Sequence, residues 1–100
     1  MEDLEKEIGK LYETTARTRY EFIQTELQSC WTALEIADYQ LSVGNPATAA
    51  SEVAFVTRGI AVLHRFLPLT SEEHQLEIEK KLEELEAALV TRKAKLNPDV

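Results

Sequence analysis

The feature that most constrains the fold is a helical spacing of apolar residues in three long stretches that only two turn signals separate. Residues 20–43 contain neither proline nor glycine, and their apolar positions recur at alternating steps of four and three. This spacing places them on one face of a helix, as in a coiled coil. The stripe consists of Ile23, Leu27, Cys30, Leu34, Ala37 and Leu41. We predict a helix over residues 20–43.

Two further helices follow from the turn signals. Gly44 suits the left-handed position that ends a helix, Asn45 suits an N-cap, and Pro46 fits the first helical turn. Pro68 ends the next stretch, and Thr70 with Glu73 has the spacing of a capping box. The second stripe consists of Ala49, Val53, Val56, Ile60, Leu63 and Leu67, and the third of Ile78, Leu82, Leu85, Leu89 and Leu96. We predict helices over residues 46–67 and 71–96.

The stripes predict how the helices pair. In an antiparallel hairpin, residues at one level along the axis have sequence numbers with a constant sum. The first and second stripes pair with sums of 90, as in Ile23 with Leu67. The second and third pair with sums of 138, as in Ile60 with Ile78. The chain is therefore expected to be one all-α domain over residues 1–100, a three-helix antiparallel bundle with a long N-terminal helix extending beyond it.

A glycine in the middle of the second helix invites a packing explanation. Gly59 costs about 1 kcal/mol relative to alanine in a helix interior. The first register places Trp31 level with it, so we predict that the indole lies over Gly59. The alternative is that the helix merely tolerates the glycine.

An N-terminal arm, residues 1–19, has no partner inside the expected bundle. Burial of its apolar residues would be favourable. They are out of phase with the core stripe, which predicts a stutter or break at residues 14–16. The candidate protein-binding residues of the arm are Leu4, Ile8, Leu11 and Tyr12. The arm either pairs with a second copy, folds back as a fourth helix, docks on another protein or frays. We favour self-association, which gives a homodimer.

A second apolar set lies beside the core stripes. Ile36, Tyr39, Phe55 and Val62 are placed to line a shallow groove between helices one and two, where a partner helix would bind. A protein or peptide partner is thus a second possibility. The alternative, which we favour for this set, is that these residues widen the core or complete a dimer interface.

Charge and apolar runs exclude several classes of partner. The net charge is −7, and a phosphate backbone or an anionic membrane surface requires a basic face instead. We therefore expect no nucleic-acid and no membrane partner. The N-terminus is acidic and lacks the apolar region of a signal peptide, and no apolar run approaches the ~18 residues of a membrane span. These features predict a cytoplasmic protein.

Catalytic and metal-binding patterns are missing from the sequence. His64 and His74 lie ten residues apart, which is not the spacing of a metal pair on one helix. The single cysteine, Cys30, falls in the core stripe and reads as a buried thiol. The glutamates of the third helix alternate with lysines, as on a solvated face. We expect no catalytic residue, no metal, no cofactor and no enzymatic activity.

The stretch ALEIADYQLSVGNPATAASEVAFVTRGIAVLHRFLP, residues 33–68, resembles a tetratricopeptide-type helical hairpin. The resemblance rests on Gly44, Asn45, Ala50 and Pro68. With the third helix added, the chain is similar to the microtubule-interacting-and-trafficking domain. Both families imply a peptide-binding scaffold whose ligand docks between helices.

The function predicted from these features is a non-catalytic protein–protein interaction or scaffold protein that self-associates through its N-terminal helix. The alternative is a small acidic chaperone or regulatory adaptor that binds a client helix in the groove between helices one and two.

Overall fold

The computed structural model describes residues 16–96, of which all but a few turn residues are helical. Helix α1 spans Ala16–Ser42, helix α2 spans Pro46–Phe66 and helix α3 spans Glu72–Leu96. A single 3-10 turn, Leu67–Leu69, follows α2. The three helices pack against one another, and the described residues contain no strand. The all-α class is confirmed.

The core consists of the three predicted stripes. Fifteen apolar side chains are buried, and they are Ile23, Leu27, Cys30, Ala33, Leu34, Ala37, Ala49, Val53, Val56, Ile60, Leu63, Ile78, Leu82, Leu85 and Leu89. The stripe positions nearest the helix ends, Leu41, Leu67 and Leu96, are half-buried against this cluster. Burial of a large aliphatic side chain contributes about 1.5–3 kcal/mol, so the face chosen by the spacing is the face that holds the helices together.

The turn between α1 and α2 depends on Gly44. Its φ of +81° lies in the left-handed region, which only glycine enters at little cost. In this conformation the Gly44 N–H donates to the Leu41 carbonyl oxygen (3.2 Å), and the Asn45 N–H donates to the Gln40 carbonyl oxygen (2.8 Å). Both bonds satisfy carbonyl groups at the end of the helix, the pattern of a Schellman motif.

The side chain of Asn45 does not cap α2, although the residue stands at the predicted cap position. Its carbonyl oxygen accepts the first helical bond from the Ala49 N–H (3.1 Å). The amide nitrogen Nδ2 instead donates to Gln40 Oε1 (2.9 Å). The side chain therefore stabilises the turn across the end of α1 and leaves the N–H groups of α2 without that cap.

The predicted capping box of Thr70 and Glu73 is wrong. Helix α3 begins one residue later than expected, and the carbonyl oxygen of Ser71 accepts the first two bonds, from His74 N–H (3.0 Å) and Gln75 N–H (3.1 Å). The hydroxyl of Thr70 is turned back to the Leu67 carbonyl oxygen (2.6 Å). It closes the preceding 3-10 turn, and among the described residues it accepts no bond from an N–H group of α3.

The first of the two predicted registers agrees with the contacts between α1 and α2. The rings of Phe22 and Phe66 lie 5.0 Å apart between centroids, and a methyl group on Gly59 would meet Cys30 Sγ at 2.6 Å. Their sequence numbers sum to 88 and 89, against the predicted 90, which is a difference of at most about 3 Å along the helix axis.

The second register is wrong. His64 Nε2 lies 2.5 Å from Glu86 Oε1, a pair whose numbers sum to 150. At the predicted sum of 138 these residues would lie about 18 Å apart along the axis. The 3-10 turn and the next two residues carry the chain past the end of α2 before α3 begins. The start of α3 therefore lies beside Tyr20, whose ring stacks on His74 with centroids 4.0 Å apart.

The predicted contact between Trp31 and Gly59 is also wrong. Gly59 is buried, but the atom that fills the space beside it is the sulfur of Cys30. Trp31 is half-buried and lines a shallow cleft between α1 and α3 together with Lys81 and Glu84. The register gave the level of the indole correctly, but the next residue along a helix is rotated by about 100° and faces another neighbour.

Polar contacts at both ends join α1 to α3. Near one end, the guanidinium of Arg92 makes two bonds to the Asp38 carboxylate, from Nε to Oδ1 (3.2 Å) and from Nη2 to Oδ2 (3.0 Å). Near the other end, the Tyr20 hydroxyl donates to both carboxylate oxygens of Glu77 (2.9 Å each). These pairs fix the level of α3 along α1, where the apolar stripes alone leave it free to slip.

Candidate functional site

A groove between α1 and α2 is larger than the cleft between α1 and α3 that Trp31 lines. Its volume is about 640 Å³, and it is open to solvent along its length. The lining residues are Gln24, Thr25, Gln28, Ser29, Thr32, Ala33 and Ile36 from α1, with Glu52 and Phe55 from α2. We call this surface the α1–α2 groove. It is the candidate functional site.

Small residues make the groove. Gly59 allows α2 to approach α1 until the space for a Cβ atom is taken by Cys30 Sγ. Ala33 is buried at the bottom of the groove, and Ser29 lies one turn before it on the same side of α1. Short side chains leave room between the helices, because larger residues at these positions would fill the hollow from within.

Large apolar side chains lie at the two ends of this hollow. Ile36 and Phe55 are 39% and 42% exposed, and both line the groove at one end. Phe22 is 40% exposed and packs on Phe66. It lies about 21 Å from Ile36 along α1, at 1.5 Å per residue. A partner would therefore contact large apolar side chains at both ends and, between them, a wall where the short Thr25, Ser29 and Thr32 alternate with two glutamines.

Two of the four residues that the sequence predicts for the groove line it in the structure, and the other two do not. Ile36 and Phe55 line the groove together. Tyr39 is 63% exposed and is not part of the groove lining. Val62 is half-buried and also lies outside the lining set, one heptad beyond Phe55 on the same face of α2. The arm residues Leu4, Ile8, Leu11 and Tyr12 lie outside the described residues.

Sequence reasoning missed most of the groove wall on α1. Positions 22, 25, 29, 32 and 36 repeat at steps of three and four, so they form a second stripe beside the core stripe. Three of its members, Thr25, Ser29 and Thr32, carry hydroxyl groups, and an apolar pattern search passes over them. The hydroxyl of Thr25 donates to the Glu21 carbonyl oxygen (3.0 Å), which leaves its methyl group for contact.

The groove offers no arrangement suited to catalysis. Glu52 is the one charged side chain in its lining. Among residues 16–96, no three histidine, cysteine, aspartate or glutamate side chains are close enough to hold a metal ion. Cys30 is fully buried, and burial, with the nearby Glu26 charge, raises the pKa of its thiol above the usual value. The thiol therefore stays protonated and unreactive in the folded chain.

A polar cluster at the base of α1 has the one lowered carboxyl pKa described for the chain. Lys81 Nζ lies 3.0 Å from Glu77 Oε1, and this bond, followed by that from the Tyr20 hydroxyl, holds the pKa of Glu77 below its ordinary value. The cluster joins α1 to α3 near the start of α1. Its charge is therefore expected to matter for the packing of α3.

Replacing Glu77 with glutamine is expected to destabilise the fold at neutral pH and to have little effect in acid. A carboxyl group with a lowered folded-state pKa stabilises the fold above its unfolded value, here about 4.5, and loses this contribution as the pH falls through the folded value. Urea unfolding of Glu77→Gln and of the parent chain at pH 7 and pH 3 measures the difference. Glu83→Gln, at an exposed position of α3, is the control, and an equal deficit at both pH values would contradict the expectation.

None of the helices in the described part of the chain combines the length and the apolarity needed to cross a membrane. Comparison of the chain with protein-family models, with curated proteins and with solved structures found no match in any of the three. The resemblance of residues 33–68 to a tetratricopeptide-type hairpin therefore stays a prediction. The argument for function rests on the groove.

Proposed function

We propose that the protein is a non-catalytic protein–protein interaction or scaffold protein that associates with itself and uses the α1–α2 groove as its docking surface. The observation that carries the proposal is the open groove with Ile36 and Phe55 exposed at one end. A single exposed apolar side chain is ordinary, but two large ones that share one hollow form a patch. Their exposure along one hollow is typical of a surface that receives an apolar helix.

The proposal includes a finer description of the fold. The helices form an antiparallel three-helix bundle, and the N-terminal residues 1–19 extend from it as a helical arm. Two pairs of contacts support this arrangement. From Phe22–Phe66 to Cys30–Gly59 the residue numbers rise along α1 and fall along α2, as in antiparallel helices. From Tyr20–Glu77 to Asp38–Arg92 the numbers rise along both α1 and α3, as in parallel helices. The arm emerges at the Phe22 end of the groove.

A second candidate function is a small acidic adaptor or chaperone that binds a client helix in the same groove. The polar wall formed by Thr25, Ser29 and Thr32 favours this alternative, since hydroxyl groups tolerate different partners better than a fully apolar wall. The two functions differ in one respect. A self-associating protein covers its groove in pure solution, and an adaptor leaves it open until the client arrives.

The rate at which a thiol in the groove reacts tests the proposal. Thr25 and Thr91 are both exposed, and each hydroxyl bonds the carbonyl oxygen four residues earlier, at Glu21 (3.0 Å) and Ala87 (3.2 Å). Thr25→Cys therefore places a thiol in the groove, and Thr91→Cys is a matched control on the outer face of α3. The native Cys30 remains silent because it is buried.

The Thr25→Cys chain is expected to react with an aromatic disulfide reagent about tenfold more slowly than Thr91→Cys at high protein concentration, if the groove is free about a tenth of the time. Dilution is expected to raise its rate toward that of the control as partners dissociate. Equal rates at every concentration would contradict self-association through the groove and favour the adaptor.

A further inference from the structure

The stripe that lines the groove on α1 continues, in sequence, into the N-terminal arm. Thr25, Ser29, Thr32 and Ile36 run along the middle of the α1 wall of the groove, and Phe22, which contacts Phe66, continues this stripe toward the start of α1. The same alternation of three and four, counted back from Phe22, reaches 18, 15, 11, 8, 4 and 1. These positions include Leu11, Ile8, Leu4 and Met1. The arm stripe is thus out of phase with the core and in phase with the groove.

This phase makes a stutter in the helix unnecessary. No glycine, proline, asparagine or aspartate occurs in residues 10–18, so this segment holds none of the residues that reverse a chain. A helix that starts before Ala16 and runs on into α1 keeps one continuous stripe on the side away from the core. An arm of this kind points away from its own groove, because the groove lies farther along the same helix.

We propose that the N-terminal arm of one copy, residues 1–15, occupies the α1–α2 groove of a second copy, and that the two copies exchange arms about a two-fold axis near residues 18 and 19. This inference rests on the proposed function, since it names the partner of the same groove. The two α1 helices then run antiparallel past each other. Each copy gives an arm and receives one, so a single contact is made twice.

The dimensions of arm and groove agree. Fifteen helical residues extend about 22 Å, and the groove face from Phe22 to Ile36 extends about 21 Å. The arm leaves α1 at the Phe22 end, from which a second, antiparallel arm enters. With the midpoints aligned, Ile8 of one copy lies level with Ser29 of the other, and Leu11 lies level with Thr25. Large arm residues thereby meet the small residues of the hollow.

Helix α2 carries a small basic excess beside the groove, although the one charged side chain in the groove lining is Glu52. The arm has five acidic and two basic residues among positions 1–15. Helix α2 has the opposite balance, with Arg58 and Arg65 against Glu52, and both arginines are exposed. Arg58 lies three residues after Phe55 and four before Val62, so it borders the groove. Electrostatics therefore favour placing the acidic arm beside α2 over placing it beside one of the acidic helices of the same chain.

Disulfide formation between the arm and the groove tests the inference in the full-length chain. In the Ile8→Cys/Ser29→Cys variant, mild oxidation is expected to give a covalent dimer of twice the chain mass on a non-reducing denaturing gel. Each single variant is expected to stay monomeric on the gel, because the two copies of either position lie about 30 Å apart along the axis. Leu11→Cys/Thr25→Cys is a second pair with the same expectation. Neither Ser29 nor Thr25 belongs to the buried core.

Three results would overturn the exchange of arms. A disulfide within one chain means that the arm folds back on its own groove. Linkage in the single Ile8→Cys variant means that arms pair with each other, and the protein then still self-associates. The absence of any linkage in both double variants also overturns the inference. In that case, sedimentation distinguishes the two proposals. A dimer mass would still support the proposed self-association, and a monomer mass would contradict both proposals.

Discussion

Truncation of Leu85 to alanine is expected to lower the free energy of unfolding by about 2–5 kcal/mol, the range for a leucine removed from a closed core. Leu85 has no exposed surface and lies in the middle of the α3 stripe. Its removal leaves a cavity that neighbours from three helices close only in part. Chemical denaturation followed by far-ultraviolet circular dichroism gives the free energy, since the described residues are helical almost throughout.

The same substitution at Leu76 is the matched control. Leu76 lies on α3 as well, but 76% of its surface is exposed. Leu76→Ala is expected to change the free energy of unfolding by less than about 0.5 kcal/mol, because exposed helix positions contribute little beyond propensity. A comparable loss at both leucines would contradict the placement of the core stripe on α3.

Enlargement of Gly59 is the second large effect. A Cβ atom at this position meets Cys30 Sγ at 2.6 Å, and both residues are buried. Gly59→Leu is therefore expected to destabilise the fold by about 3 kcal/mol, the upper end for overpacking of a core. Thermal unfolding of the variant and of the parent chain measures the loss, and an unchanged melting temperature would contradict it.

The sulfur of Cys30 is expected to decide whether the substitution Gly59→Ala stabilises or destabilises the fold. In the parent chain, Gly59→Ala gains up to about 1 kcal/mol of helix propensity and loses more to the contact with Sγ. In a Cys30→Ala background the sulfur is absent, and the same change is expected to stabilise. The double-mutant cycle isolates the contact. An equal effect of Gly59→Ala in both backgrounds would contradict the assignment of the limiting contact to Sγ.

The sequence predicted the buried face of each helix well because burial repeats along a helix with a fixed period. Leu34, Val56 and Leu82 are buried for the reason that placed them in the stripes. The turn at Gly44 was predictable for a similar reason, since a left-handed residue at a helix end favours glycine. These features depend on neighbours close in sequence.

The level of α3 was not predictable in this way. Heptad stripes match again after each slip of seven residues, so the apolar pattern does not distinguish a sum of 138 from sums of 145 or 152, which bracket the 150 of His64 with Glu86. The choice depends on the 3-10 turn after Phe66 and on side-chain contacts such as Tyr20 with Glu77. A polar contact between residues 57 positions apart leaves no periodic trace in one sequence.

The candidate site was predicted only in part. Ile36 and Phe55 were found because they are large and apolar, and they do line one groove. The wall between its ends was missed because Thr25, Ser29 and Thr32 read as ordinary surface residues. A groove forms where side chains are short, and short polar residues give little sign of a binding surface in a sequence. The link between this wall and the arm became visible when the structure showed which face of α1 borders the groove.

The solution mass tests the central claim, which is that the chain associates with itself through the α1–α2 groove. We would determine it by sedimentation equilibrium for the parent chain, for Thr25→Arg and for the matched control Thr91→Arg. We expect twice the chain mass of 11.4 kDa for the parent and the control, and a shift toward the monomer for Thr25→Arg, because the long arginine side chain occupies the space of the partner and its charge loses water on burial. A monomeric parent chain, or an equally stable dimer of Thr25→Arg, would contradict it.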